Sequence, residues 1–202
     1  LLRVLPIVGL SRRAPLERRD LAYPAIWDVV ALKGELSGVA NWWGTWPADD
    51  FHGFLVTDRM YPKLQVARVE GQPPAFEREI YPEALFNELA DYSLDDARMS
   101  SDPLRAAQDI DRFAVAAIMN GLDDYRRITL TALYLPGLDI YANSLESGFI
   151  DPPTLEERAA VVDGTREYWR YLDRLLAPLV SRLGPSHVVI IVSDPGMMKG
   201  PE

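Results

Sequence analysis

His187-Val188-Val189-Ile190-Ile191-Val192-Ser193-Asp194-Pro195-Gly196 is an apolar, β-branched run that stops at an acid and a turn. The same grammar occurs upstream, where Ile128-Thr129-Leu130-Thr131-Ala132-Leu133-Tyr134-Leu135 leads through Pro136-Gly137 to Asp139. Short apolar runs bounded by Gly and Pro predict buried strands of a mainly parallel sheet. Ligands of open α/β sheets bind beyond the carboxyl ends of such strands, which makes Asp139 and Asp194 the first candidates for a shared site.

Working outward, the helices fall between these runs. Leu104, Ala107, Ile110, Phe113, Ala114, Ala117 and Ile118 recur at spacings of three and four, predicting a helix that starts at Pro103 with Asp102 as N-cap. Thr154-Leu155-Glu156-Glu157 reads as a capping box ahead of a long apolar stripe from Tyr168 to Leu183. Asp163-Gly164 is expected to interrupt that helix, so that it begins in earnest at Thr165, and Gly184-Pro185 to end it. Nearer the start, Pro24 and the following residues to Leu32 predict a helix stopped at Gly34, and Leu36 to Trp43 a short strand. Phe54 to Arg59 suits an edge strand or an ordered loop. Tyr61 to Pro82, with four prolines, is expected to be largely irregular. A helix over about 82–90 and a polar surface connection over 91–102 complete the reading. Helix, strand, helix, strand is the rhythm of a doubly wound α/β sheet.

Composition bounds the function. The 202 residues suit one domain, and 48% hydrophobic residues are enough for a core. There is no cysteine, which excludes disulfides, a thiolate nucleophile and Cys-ligated zinc. No apolar run approaches the ~18–20 residues of a membrane span. A formal charge of −9 argues against nucleic acid and anionic lipid as partners. Residues 1–20 are the exception: five arginines against two acids give +3, leaving −12 elsewhere, and this basic N-terminal segment reads as solvated and flexible. Leu1 itself reads as a point within a longer protein.

Several residues have chemistry to offer. Asn143 lies four residues after Asp139, so a helical turn would place both on one face, where a carboxylate and an amide oxygen suit a hard cation. Asp139 also suits a turn or a helix cap. Asp194 ends an apolar strand and needs a cation, a basic group or backbone donors there, although Asp194-Pro195-Gly196 also fits a plain β-turn. Trp42, Trp43 and Trp46, three within five residues, either line a substrate pocket or pack beneath a loop. The two histidines, His52 and His187, stand apart from other ligand types. No P-loop, dinucleotide fingerprint or nucleophile elbow is present.

Four stretches together resemble the alkaline phosphatase superfamily, in its type I phosphodiesterase and nucleotide pyrophosphatase branch. They are Tyr23-Pro24-Ala25-Ile26-Trp27-Asp28, Asn41-Trp42-Trp43-Gly44-Thr45-Trp46-Pro47-Ala48, Leu133-Tyr134-Leu135-Pro136-Gly137-Leu138-Asp139 and Val192-Ser193-Asp194-Pro195-Gly196-Met197. The likeness spans about residues 20–198. It implies a single, partial alkaline-phosphatase-like α/β domain over residues 1–202, incomplete at its N-terminal end. It also implies hydrolysis of a small phosphate ester with two divalent metals, often zinc. On this reading Asp139 and Asp194 are metal ligands and Asn143 an auxiliary one. No catalytic nucleophile lies in the chain; it is expected before Leu1, and a last histidine ligand beyond Glu202. Two departures stand inside the chain. The family places histidine where this sequence has Asn143 and Pro195, and proline has no donor atom. Losing imidazole donors lowers zinc affinity, so the resemblance equally accommodates a relative that has lost its metals and keeps the fold for binding or assembly.

Overall fold

The computed structural model describes residues 16–70, 78–85, 89, 103–125, 127–144 and 154–193. Four strands form one sheet in the order β3-β2-β1-β4: β1 (Leu36–Ala40), β2 (Gly53–Val56), β3 (Ile80–Tyr81) and β4 (Ile128–Leu133). β1 pairs parallel with both β2 and β4, while the two-residue β3 runs antiparallel on β2. Helices flank the sheet: α1 (Ile26–Ala31), α2 (Met60–Glu70), α3 (Pro103–Asp124), α4 (Gly137–Ser144) and α5 (Leu155–Val180). Among the described residues, no helix is long and apolar enough to cross a membrane.

The period-two alternation of a strand puts successive side chains on opposite faces, and both faces of this sheet are covered. On one face Ala40, Phe54 and Val56 pack with Met60 and Leu64 of α2 and with Phe113, Ala117 and Ile118 of α3. On the other, Val39, Leu55 and Ala132 pack with Trp27 of α1, Ala48 and Phe51. A third cluster sits at a helix junction, where Ala107 of α3 meets Tyr141 of α4 and Tyr168 and Leu172 of α5. Phe54 explains two glycines. A Cβ at Gly38 of β1 or at Gly121 of α3 would collide with its ring, so both backbones approach it closely.

The structure corrects the sequence reading in several places. The final apolar run forms no strand ladder among the described residues. Val188–Val192 are 59–91% exposed instead of buried. β-branched side chains favour an extended backbone, but burial needs a neighbouring strand edge, and among the described residues the sheet's ladders run from β3 to β4. Phe54–Val56 is not an edge: it lies in β2 between β1 and β3, fully buried. Tyr61 to Pro82 is not irregular throughout, because α2 occupies Met60–Glu70. Pro62 falls in its first turn, where the missing N–H has no intrahelical acceptor to lose.

α5 runs through Asp163-Gly164 without a break. A Cβ at Gly164 would collide with the Tyr141 hydroxyl, so this glycine admits α4 to the helix surface rather than ending the helix. The expected helix over 82–90 is described only as a 3-10 turn at Glu83–Leu85 and at Leu89. Asp102, the connection at 91–102 and the side chain of Glu157 lie outside the described residues.

Of the basic segment, residues 16–20 are described: Arg19 and Asp20 are exposed, and Arg18 is partly buried. Arg18 bonds to Asp28 at 2.5 Å and donates to the Asp49 carbonyl at 3.2 Å, while its backbone N–H donates to Trp46 O at 2.8 Å. The other charges of this segment also find partners, with Arg19 bonded to Glu17 at 2.8 Å.

Candidate functional site at the carboxyl ends of β1 and β4

The chain leaves β1 toward β2 on one side, and β4 lies on its other side. In an open α/β sheet a crevice opens where neighbouring connections diverge in this way, beyond the carboxyl ends of the strands. Asn41 closes the end of β1 in a left-handed conformation, φ 59°, which asparagine tolerates better than most residues. Its backbone N–H donates to Val56 O at 2.8 Å and its side-chain amide to Tyr134 O at 3.2 Å. One buried residue therefore ties the ends of three strands together.

The chain then turns through Trp42, Trp43 and Gly44, the last at φ 70°. Trp42 packs edge-on against Trp27 at 5.8 Å and against Tyr134 at 6.1 Å, and Trp43 against Tyr134 at 6.4 Å. Trp43 is 63% exposed, so the group presents an aromatic wall with one open ring. The Thr45 hydroxyl lies 2.6 Å from Trp42 O and 3.2 Å from Asp58 Oδ1, which fixes the turn. The Arg59 guanidinium lies over the ring of Trp46 at 3.9 Å, a cation–π contact on one face of that ring.

Asp139 lies in the first turn of α4, six residues after β4 ends, and is exposed. Its placement at a helix N-terminus is electrostatically favourable. Asn143 follows on the same helix. Asp194 and Pro195 lie outside the described residues.

The described residues do not by themselves assemble a closed zinc site. Among the described residues no three His, Asp or Glu side chains gather. The residue four positions after Asp139 offers an amide, and the residue after Asp194 offers nothing. His52 is exposed at the start of β2. His187 is also exposed, and its Nδ1 accepts from Gly184 N at 2.9 Å.

An open groove of about 520 Å³ lies elsewhere, lined by Ala48–Asp50 and Arg78–Glu83. Its Arg78 pairs with Asp49, and Glu79 with Lys63 at 2.8 Å, so these charges are spent on one another.

Two residues carry more of the site than their sequence context advertised. Tyr134 joins the tryptophans, and its place at the end of a predicted strand was the available signal. Asp111 supports α4 from below: it is fully buried on the inner face of α3. It stands four residues after Ala107 and three before Ala114, at the spacing of the apolar stripe. Burial pushes its pKa up to about 6, against the lowering effect of hydrogen bonds from Tyr168 and the Gly137 N–H. Burial and the neighbouring Asp111 push the Tyr168 hydroxyl far above its ordinary value.

No family model, no curated protein and no solved structure matches the chain.

Proposed function

We propose that the chain is a phosphodiesterase- or phosphohydrolase-like α/β domain that takes a small phosphate ester at the carboxyl ends of β1 and β4, and that these 202 residues do not complete a catalytic centre. The observation that carries this reading is the convergence of three separate stretches on one end of the sheet. Trp27, Trp42 and Tyr134, drawn from three of the four stretches that resemble the phosphodiesterases, touch in sequence through their rings. The third of those stretches ends at Asp139 in the following helical turn. An open aromatic ring suits a base or an aryl leaving group, and the exposed acid at the start of the helix after β4 suits a cation accompanying the phosphate.

The non-catalytic reading is favoured by Asn143 and Pro195, which replace donors that a two-metal hydrolase needs. Both readings share the ester site and differ in turnover. The 202-residue chain is expected to show no hydrolysis of a chromogenic phosphodiester above background with zinc, magnesium or manganese present, and to purify without two equivalents of zinc. Turnover that disappears in Asp194→Ala would instead show a working centre within the chain. Parallel assays of ester binding and of turnover separate the two readings. Hydrolysis lost in Asp139→Ala selects the enzyme, and ester binding without hydrolysis selects the non-catalytic relative.

A further inference from the structure

Asp111 performs a task the ester site needs and that no local residue performs. The first amides of a helix have no intrahelical acceptor and are usually capped by a side chain just before it. α4 is preceded by Leu135-Pro136, which has no capping side chain. Its first amide, Gly137 N–H, donates instead to Asp111 Oδ1 at 2.9 Å, across 26 residues of sequence. The other oxygen, Oδ2, accepts from the Tyr168 hydroxyl at 2.8 Å, and that hydroxyl also lies 3.0 Å from Ala107 O. Asp111 and Tyr168 are both 0% exposed. The fit leaves no slack, because a Cβ at Gly137 would collide with the Tyr168 hydroxyl, the Ala107 carbonyl and the Asp111 carboxylate. One carboxylate thus joins α3, α4 and α5 at the turn that leads out of β4.

We propose that Asp111 is a positioning residue, which fixes the first turn of α4 and through it the placement of Asp139 at the carboxyl end of β4. The importance given to Asp139 rests on the function proposed above, whereas the clamp itself rests on the hydrogen bonds. An apolar residue would fill the same volume at less cost, since burying a carboxylate is unfavourable unless its oxygens are used. Here each oxygen is used, one on each of two helices. Asparagine can reproduce the pattern: its oxygen accepts from Gly137 while its NH2 group donates to the Tyr168 oxygen, leaving the tyrosine proton for Ala107 O. Alanine cannot.

Amide hydrogen exchange, followed by NMR on the 202-residue chain, tests the clamp without reference to activity. Asp111→Ala is expected to speed exchange at Gly137, Ile140 and Tyr141 by about tenfold or more, the scale of one lost hydrogen bond to a charged group. Val39 and Leu55 in the sheet should keep their protection, and Asp111→Asn should restore the α4 amides. Equal acceleration in α4 and the sheet would make Asp111 an ordinary core residue and overturn the proposal, as would unchanged α4 amides. If Asp111→Ala does not fold, Tyr168→Phe carries the same test: faster α4 exchange with the sheet unmoved supports the clamp, and no change overturns it. Because the readout is exchange, failure of the clamp is told apart from failure of the ester-site reading, which shows only in ligand binding and turnover.

Discussion

Phe54-Leu55-Val56 and Val188-Val189-Ile190-Ile191-Val192 are close in chemistry and opposite in fate. The first is fully buried in β2, with a strand on each side and helices over one face. The second is 59–91% exposed, outside every ladder of the described residues. Apolar β-branched composition therefore does not decide burial, which is set by whether a neighbouring edge and a covering helix exist. The carboxyl-end site belongs to the first kind of environment. It is built where β1 pairs with both β2 and β4 and is then tied off by Asn41.

The contrast can be broken or sharpened by substitution. Phe54→Ala should cost about 3–5 kcal/mol, because its ring fills the space between Gly38 and Gly121. Urea unfolding measures this directly, and a loss under about 1 kcal/mol would mean that β2 is not the core strand described.

Next in size is Asp111. Its folded pKa is about 6, raised from 3.8. A carboxyl raised on folding adds stability while protonated, fully below about pH 4, and that stability is lost as pH rises through about 6. Asp111→Asn has no such dependence. Its stability relative to the native chain should rise between pH 4 and pH 7 by an amount on the order of 3 kcal/mol. A constant difference across that range would show that the carboxyl does not titrate there.

Asn41→Ala should cost about 1–3 kcal/mol, since alanine resists positive φ and loses the bond to Tyr134 O. Asn41→Gly, which tolerates the backbone, should recover part of it. Ile191→Ala should change stability by less than about 0.5 kcal/mol, as for an exposed residue. A cost comparable to Phe54→Ala would show the C-terminal run to be buried in solution and erase the contrast.

The same contrast explains what was legible in the sequence. β1, β4, α3 and the existence of α5 were readable because periodicity reports local geometry and a covered face. The α/β class followed from their order. The C-terminal run was misread because composition cannot report a partner edge. α2 was misread because four prolines suggested irregularity, whereas Pro62 sits where a helix accepts it. Gly164 resembles a helix break in the sequence because its contact, Tyr141, is distant along the chain.

At the site, the exposure of Trp43 and the placement of Trp46 beneath Arg59 are tertiary facts that tryptophan spacing does not encode. Asp111 was hidden for a related reason. A lone acid on an apolar stripe looks like a flaw until the helices that use both its oxygens are in place.

The central claim is that a phosphate ester binds where β1 and β4 end. It is tested most directly by NMR chemical-shift mapping with a non-hydrolysable phosphodiester bearing an aromatic group, in the presence of magnesium. Perturbations confined to Asn41–Gly44 and Tyr134–Ile140, and weakened in Trp43→Ala, are the predicted result. Perturbations centred on Asp49 and Arg78–Glu83, or none at saturating ligand, would contradict it.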